Sequence, residues 1–233
     1  MAAMTRITLL VGALAPLPES DTLSGIAKTP VTQALALSAE GLEGDQHGDR
    51  RVHGGPEKAV HHYPNEHYAA WAAQLGDLPV LAAPGGFGEN ISTSGLTEEQ
   101  VAVGDIFRLG TALVQVSQGR QPCWKLSRRF GVSDMARRVQ DSGRTGWYYR
   151  VLQPGRVAPD DRIELIDRPA PHWTLRRVWH ALYVDRLNQS ELQGIADLDL
   201  LADGWRRYAV RRLESGRVED WSSRLDGTSE IRP

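Results

Sequence analysis

The sequence contains only one cysteine among its 233 residues, and this scarcity excludes several kinds of site. A single Cys cannot form an intramolecular disulfide, and it cannot build a Cys-rich zinc or iron–sulfur site. No pair of histidines with a carboxylate between them lies on a clean helical pattern, so a His-based zinc site is not favoured either. Cys123 is therefore a small buried apolar residue or a functional thiolate.

An excess of positive charge and a long apolar run are also missing. The chain has 27 Lys and Arg against 29 Asp and Glu, so nothing favours a nucleic acid polymer as partner. No apolar run is long enough to cross a membrane, and we expect no membrane partner. The run from Ile7 to Ala15 is broken by Gly12 and follows a single Arg, which favours a first β-strand over a signal peptide. We expect a cytoplasmic protein.

The first two-thirds of the chain is rich in strand patterns. Short apolar runs are bounded by Gly, Pro, Asp and Asn at Arg6–Val11, Val31–Leu37, Ile106–Leu109, Leu113–Ser117 and Arg162–Ile166. Gly110-Thr111 is typical of a hairpin turn between two of these runs. Many short strands at uneven spacing predict a fold that is mainly β with α, built on a closed or strongly curved sheet.

Helical spacing follows Pro64, which suits a first helical position, and follows Ser133, a candidate cap. From about residue 170 onward the pattern predicts three short helices, with Ser190 and Asp203 as candidate caps for the second and third. We therefore predict a β domain over residues 1–169 and a C-terminal three-helix unit with a tail over 170–233. The apolar stripe of this unit is expected to pack on the β domain, although a docking surface is the alternative.

Two glycine-rich segments contain candidate ligand-binding residues. In the first, His53, Gly54, Gly55 and Lys58 could bring backbone N–H groups and positive charge to an anion, although a polar loop with turn glycines explains them equally well. In the second, residues 85–88 contain three glycines and lead into Glu89 and Asn90. No helical pattern follows them, so this is not a dinucleotide fingerprint.

Cys123 lies in a polar loop between a strand pattern and a helix-like stretch. The positive end of the helix dipole and the flanking Arg120 and Lys125 favour the thiolate form. A buried structural cysteine more often lies within a strand among apolar neighbours. These residues therefore favour a reactive or metal-ligating cysteine.

The segments, taken in order, resemble the MOSC domain (molybdenum cofactor sulfurase C-terminal type), and most closely its YiiM-like bacterial branch. The resemblance extends over nearly the whole chain. The matching stretches are Gly41–Asp45, His53–Pro56, His62–Pro64 with Glu66–Tyr68, Phe87–Asn90, Val116–Gln118 with Pro122-Cys123, Gly146-Trp147 and the tail from Arg212 to Asp220. Gly119 stands where related chains often have a proline, which could loosen the loop that carries Cys123.

The resemblance implies a MOSC-type β-barrel core that holds the molybdenum cofactor (molybdopterin), with Cys123 as the metal ligand. It also implies reduction of N-hydroxylated bases, such as 6-N-hydroxylaminopurine, to amino compounds. A flavoprotein reductase would donate the electrons, and a homodimer is an open alternative. The cofactor wall would comprise His53, Gly54, Gly55, Lys58, Asn90, Arg120, Gln121 and Lys125. Glu89, with His62 or His67, would position substrate or relay protons.

Two other functions use the same cysteine. A non-catalytic MOSC domain could carry sulfur as a persulfide on Cys123. A cysteine hydrolase could pair Cys123 with a histidine, but no oxyanion-hole motif accompanies the cysteine. Molybdenum and pterin in the purified protein would distinguish the reductase from both.

Overall fold

The computed structural model describes residues 5–48 and 54–227, which form one curved nine-stranded sheet, two smaller sheets and seven α-helices. The strands are β1 (Thr5–Arg6), β2 (Thr8–Val11), β3 (Ala15–Pro16), β4 (Leu23–Ser24), β5 (Thr29–Pro30), β6 (Leu35–Ser38), β7 (Gly41–Leu42), β8 (Val60–Pro64), β9 (Ile91–Thr93), β10 (Ile106–Leu109), β11 (Ala112–Gly119), β12 (Trp147–Gln153), β13 (Gly155–Val157) and β14 (Arg162–Asp167).

The large sheet has the order β1-β14-β10-β11-β12-β8-β9-β2-β5 and curves back on itself. Only Ile7 separates β1 from β2, yet β1 pairs with β14 at one end of the sheet and β2 pairs with β9 near the other. Register shifts between β11 and β12 add local bends. Residues 5–11 therefore join both ends of the sheet, which gives the barrel-like core that the strand pattern predicts.

The prediction of strands is confirmed best where strand and turn signals lie close together. The hairpin of β10 and β11 has Leu109 opposite Ala112, with Gly110-Thr111 as its turn. Two predictions were wrong. The run predicted at 31–37 is a strand only at Leu35–Ser38, and Pro64 ends β8 instead of starting a helix. Pro64 lacks an N–H group, but β8 still pairs with β9 through His62, Tyr63 and Pro64.

The helices are α1 (Glu66–Leu75), α2 (Lys125–Phe130), α3 (Met135–Ser142), α4 (Leu175–Tyr183), α5 (Gln189–Ala196), α6 (Asp203–Ser215) and α7 (Ser222–Asp226). The three predicted C-terminal helices are α4, α5 and α6, but their caps differ from the prediction. Thr174 caps α4 and Asn188, rather than Ser190, caps α5. Asp203 is the first residue of α6, and Asp134 rather than Ser133 precedes α3.

The three C-terminal helices and the sheet share one apolar core. Val178 of α4, Ile195 of α5 and Trp205 of α6 belong to the same buried cluster as Val114 and Val116 of β11. The apolar stripe of this unit is therefore packed against the sheet. Within the described parts of the chain, no helix is long and apolar enough to cross a membrane.

Candidate functional site

A pocket opens beside the loop that follows β11, and Cys123 is part of its wall. The residues that line it come from segments far apart in the sequence. They are Ser24, Gly25, Ile26, Lys28, Gln46, His47, Gly48, Lys58, His61, Phe87, Gly88, Asn90, Arg120, Cys123, Lys125 and Tyr148. The curvature of the sheet brings these segments to one place.

Cys123 lies immediately before the first turn of α2. Its carbonyl accepts the amide N–H of Leu126 at 3.0 Å, and the side chain is neither fully buried nor fully exposed. The predicted strand–loop–helix context is therefore present, with β11 ending at Gly119 and α2 beginning at Lys125. The thiol is placed where a ligand in the pocket can reach it.

Four cationic side chains share the pocket with the thiol, namely Lys28, Lys58, Arg120 and Lys125. No carboxylate is found among the described residues that line it. Burial lowers the pKa of Lys58, while the nearby charge of Cys123 acts in the opposite direction. This wall suits a ligand that carries several negative charges.

Arg120 is held at the back of the pocket and keeps spare hydrogen-bonding capacity. Its amide N–H donates to the carbonyl of Gly146 at 3.0 Å, and its Nη2 donates to the carbonyl of Phe87 at 3.4 Å. Its Nη1 is buried without a hydrogen-bond partner. Because buried donors almost always have partners, Arg120 is arranged to receive an acceptor from a ligand.

Lys28 is fixed by a buried carboxylate just outside the pocket lining. Both oxygens of Asp45 lie 2.5 Å from Lys28 Nζ, and the two side chains are 2% and 4% exposed. Asp45 also accepts the Gly12 amide N–H at 2.8 Å and Asn90 Nδ2 at 2.9 Å. Burial lowers the pKa of Lys28, and Asp45 opposes this shift. Asp45 therefore neutralises one cation and orients Asn90.

His61 and Tyr148 form a further part of the wall. They lie opposite each other on β8 and β12, with ring centroids 4.9 Å apart. Burial, followed by the charge of Arg120, lowers the pKa of His61 well below its usual value, so the imidazole is neutral near pH 7. Its Nε2 is buried without a hydrogen-bond partner. Burial raises the pKa of Tyr148, which keeps its phenol protonated.

Comparison with known proteins shows what this architecture is. Residues 49–164 match the MOSC domain, and residues 173–216 match the YiiM-like, 3-alpha helix domain. Protein YiiM of Escherichia coli (strain K12) is 41% identical over 224 residues, which is 95% of this chain and 98% of that protein. The chain belongs to the YiiM-like branch of the MOSC family.

Structural similarity agrees with this membership. The crystal structure of YiiM from Escherichia coli matches with a TM-score of 0.81 and 35% identity, covering 96% of this chain and 98% of that one.

A protein of Gibberella moniliformis (strain M3125 / FGSC 7600) named "Reductase" is 42% identical over 193 residues. That match covers 82% of this chain but only 34% of the fungal protein.

The MOSC pocket contains five of the residues singled out in the sequence, namely Cys123, Lys58, Asn90, Arg120 and Lys125. Gly54 and Gly55 do not line it, although Gly55 precedes the 3₁₀ turn Pro56–Lys58 that carries Lys58. Gln121 also lies outside the lining, where its Nε2 donates to Tyr183 Oη at 2.9 Å. His53 lies outside the described residues.

His62 is a core residue and is not part of the pocket wall. It is fully buried, its Nδ1 lies 3.0 Å from Tyr149 Oη, and its Nε2 lies 2.8 Å from Thr93 Oγ1. Burial lowers the pKa of His62 to about 3. Because successive side chains of a strand point to opposite faces, His61 faces the pocket and His62 faces the core.

Glu89 and His67 are likewise engaged in the scaffold. Glu89 is fully buried and accepts the Tyr68 hydroxyl and the amide N–H groups of Gly85 and Phe87, the latter two at 2.7 and 3.1 Å. Burial raises the pKa of Glu89. His67 Nε2 lies 2.8 Å from a carboxylate oxygen of Glu98. Neither residue lines the pocket, so the expectation that they touch substrate is not supported by their placement.

Sequence reasoning missed several pocket residues, of which Lys28, His61 and Tyr148 are the most informative. His61 and Tyr148 are the neighbours of His62 and Trp147, which belong to the stretches that resemble the family, but neither was predicted to line a pocket. The paired register of β8 and β12 reveals the shared face, and this register is visible only in the fold.

Proposed function

We propose that this protein binds a pterin-based molybdenum cofactor through Cys123. With it, the protein would reduce N-hydroxylated bases, such as 6-N-hydroxylaminopurine, to amino compounds. The main supporting observation is a pocket whose described lining combines one thiol with Lys58, Arg120, Lys125 and the Asp45-paired Lys28, and has no carboxylate. A soft thiolate is suited to molybdenum, and the positive wall is suited to the phosphate and sulfur ligands of a pterin cofactor.

The side chains available in the described residues do not favour binding of a bare metal ion. Across residues 5–48 and 54–227, no group of three or more His, Cys, Asp or Glu residues could hold one. A metal that arrives with its own anionic ligands needs only one more from the protein. His61 Nε2 and Arg120 Nη1 are buried without partners, and both belong to residues of this wall, so they could bind polar atoms of such a cofactor. The residues present therefore fit the group.

The proposed reaction breaks the N–O bond of the substrate with two electrons and two protons, and it releases an amine and water. When bound, the cofactor supplies the two-electron chemistry that no side chain can supply. Tyr148 remains protonated in the pocket and can donate a hydrogen bond to the departing oxygen. Lys58, Arg120 and Lys125 stabilise negative charge around the thiolate.

The proposal includes a flavoprotein reductase as electron donor, which the family resemblance implies. The fungal relative named "Reductase" and the family membership support an oxidoreductase. The expected cellular site is the cytoplasm. Whether two copies of the chain associate can be measured by sedimentation of the purified protein.

Metal and pterin analysis of the native protein and of Cys123→Ala, both expressed where the cofactor is made, tests the assignment. We expect about one molybdenum per native chain, and loss of bound molybdenum and of hydroxylaminopurine reduction in the variant. Ser127→Ala, in the same helix but outside the pocket lining, is the matched control. Full metal occupancy in Cys123→Ala would exclude Cys123 as ligand. A persulfide on Cys123 in a metal-free native protein would instead indicate the sulfur carrier.

A further inference from the structure

The residues on either side of Cys123 are bound by the last helix of the described chain. The Arg224 guanidinium in α7 donates through Nη1 to the carbonyl of Pro122. The carbonyl of the same arginine accepts the amide N–H of Trp124 at 2.9 Å. Arg224 therefore holds the loop immediately before and immediately after Cys123.

Arg224 is itself fixed by a second contact. Its Nη2 donates to Gln140 Oε1 of α3 at 2.6 Å, and the neighbouring Leu225 is 2% exposed. Gly227 follows α7 in a left-handed conformation with φ of 73°. A Cβ at this position would lie 2.9 Å from Cγ of Trp124, so the backbone packs closely against the indole ring. The contact between α7 and the loop is thus both polar and apolar.

The segment that carries α7 is anchored to the three-helix unit. Residues 217–227, which we term the C-terminal strap, follow α6. Arg212, whose side chain is 1% exposed, binds both oxygens of Glu219 at 2.6 and 3.0 Å. Trp221 Nε1 donates to Glu219 Oε1 at 2.9 Å. The start of the strap is therefore fixed by a largely buried, charge-assisted contact.

The strap is also linked to the loop through Tyr183 of α4. The rings of Trp221 and Tyr183 have centroids 5.1 Å apart, and the Tyr183 hydroxyl accepts Nε2 of Gln121 at 2.9 Å. With the contacts of Arg224, this means that Gln121, Pro122 and Trp124 each have a hydrogen bond to the C-terminal part of the chain. Cys123, which lies between them, lines the pocket.

We propose that the C-terminal strap sets the position of the Cys123 loop against the cofactor pocket, and that Arg224 is its positioning residue. The proposal rests on the proposed function, because it assigns the strap the task of presenting a metal ligand. The strap begins after residue 216, where the match to the YiiM-like three-helix domain ends.

The first experiment uses cofactor-free protein and measures the rate at which iodoacetamide alkylates Cys123. Because the chain has one cysteine, peptide mapping of the labelled protein assigns the thiol reaction to a single site. The reaction is run at a pH high enough to ionise the thiol fully, so that the rate reports access alone. Loss of a charge-assisted hydrogen bond changes a local opening equilibrium by about tenfold, and we expect this increase for Arg224→Ala. Arg217→Ala, an exposed residue of the strap, is the control and should match the native rate.

The second experiment uses holoprotein and counts sulfur ligands at molybdenum by X-ray absorption. We expect Arg224→Ala to retain pterin on the cationic wall and to show one sulfur ligand fewer at molybdenum than the native protein. Arg224→Lys should recover part of the native sulfur signal. An alkylation rate in Arg224→Ala equal to that of the native protein, or an unchanged sulfur count, would overturn the proposal.

If Arg224→Ala does not unfold cooperatively, Gln140→Met decides, because it removes the oxygen that fixes Arg224 Nη2 and keeps a side chain of similar size. Faster alkylation in that variant supports the positioning role, and an unchanged rate contradicts it. A native protein without molybdenum would refute the proposed function alone, since the alkylation experiment needs no cofactor.

Discussion

Replacing His62 with glutamine should make the protein less sensitive to acid. His62 is fully buried, and burial lowers its pKa from 6.5 to about 3. The unfolded chain therefore binds a proton near pH 6.5, whereas the folded protein binds it only near pH 3. Stability that depends on neutral His62 is fully present above pH 6.5 and is lost as the pH falls toward 3.

The size of the effect follows from the shift. Each pH unit below the pKa of His62 in the unfolded chain lowers the free energy of unfolding by about 1.4 kcal/mol. The native protein should therefore lose about 3 kcal/mol of stability from this group between pH 7 and pH 4. His62→Gln lacks this loss, although it is less stable at pH 7 because the hydroxyls of Tyr149 and Thr93 lose their imidazole partner. Urea unfolding of both cofactor-free proteins at the two pH values gives the difference directly.

A matched variant separates titration from hydrogen bonding. Thr93→Val removes the partner of Nε2 but leaves the buried imidazole in place. It should lower the free energy of unfolding at both pH values and keep the native dependence on pH. If native protein and His62→Gln lose stability in parallel on acidification, the reasoning about His62 is wrong.

Three further predictions concern the pocket and its loop. Asp45→Asn leaves the 4% exposed Lys28 without its carboxylate and should lower the free energy of unfolding by about 3–5 kcal/mol. Adding Lys28→Met should recover most of that loss in urea titrations, and additive losses would argue against the pair. Gly119→Ala places a Cβ 2.9 Å from Cη2 of Trp205 and should cost about 1–3 kcal/mol, measured by thermal unfolding against native protein. Lys125→Gln should reduce bound pterin without lowering the melting temperature of cofactor-free protein, and undiminished pterin would remove Lys125 from the binding wall.

Local signals in the sequence predicted the parts of the fold that depend on near neighbours. The hairpin of β10 and β11 is set by Gly110-Thr111 and two alternating runs, so it is confirmed almost to the residue. The loop that carries Cys123 is likewise a local strand–turn–helix unit. Pro64 was misassigned because its fixed φ suits a first helical turn and a strand end, and the competing pairing with β9 involves residues far along the chain.

The residues that line the pocket could not be predicted from local sequence signals alone. His61 and His62 are adjacent and chemically identical, and only the register between β8 and β12 shows which one faces the pocket. Lys28 contributes from a segment with no recognisable motif, and its partner Asp45 is 17 residues away. Gly119 stands where related chains often have a proline, and its missing side chain makes room for the indole of Trp205, a contact far along the chain.

The segment that joins the two ends of the sheet also sets the order in which the protein can be assembled. Thr5 is synthesised long before its strand partner, Ile163. Such distant pairing gives a high contact order. We therefore expect the pairing of β1 with β14, which closes the curved sheet, to be late and slow during folding. The pocket draws on segments between Ser24 and Tyr148, so its walls are complete only after most of the β domain has left the ribosome. On the proposed function, we therefore expect the cofactor to be inserted after translation of this domain.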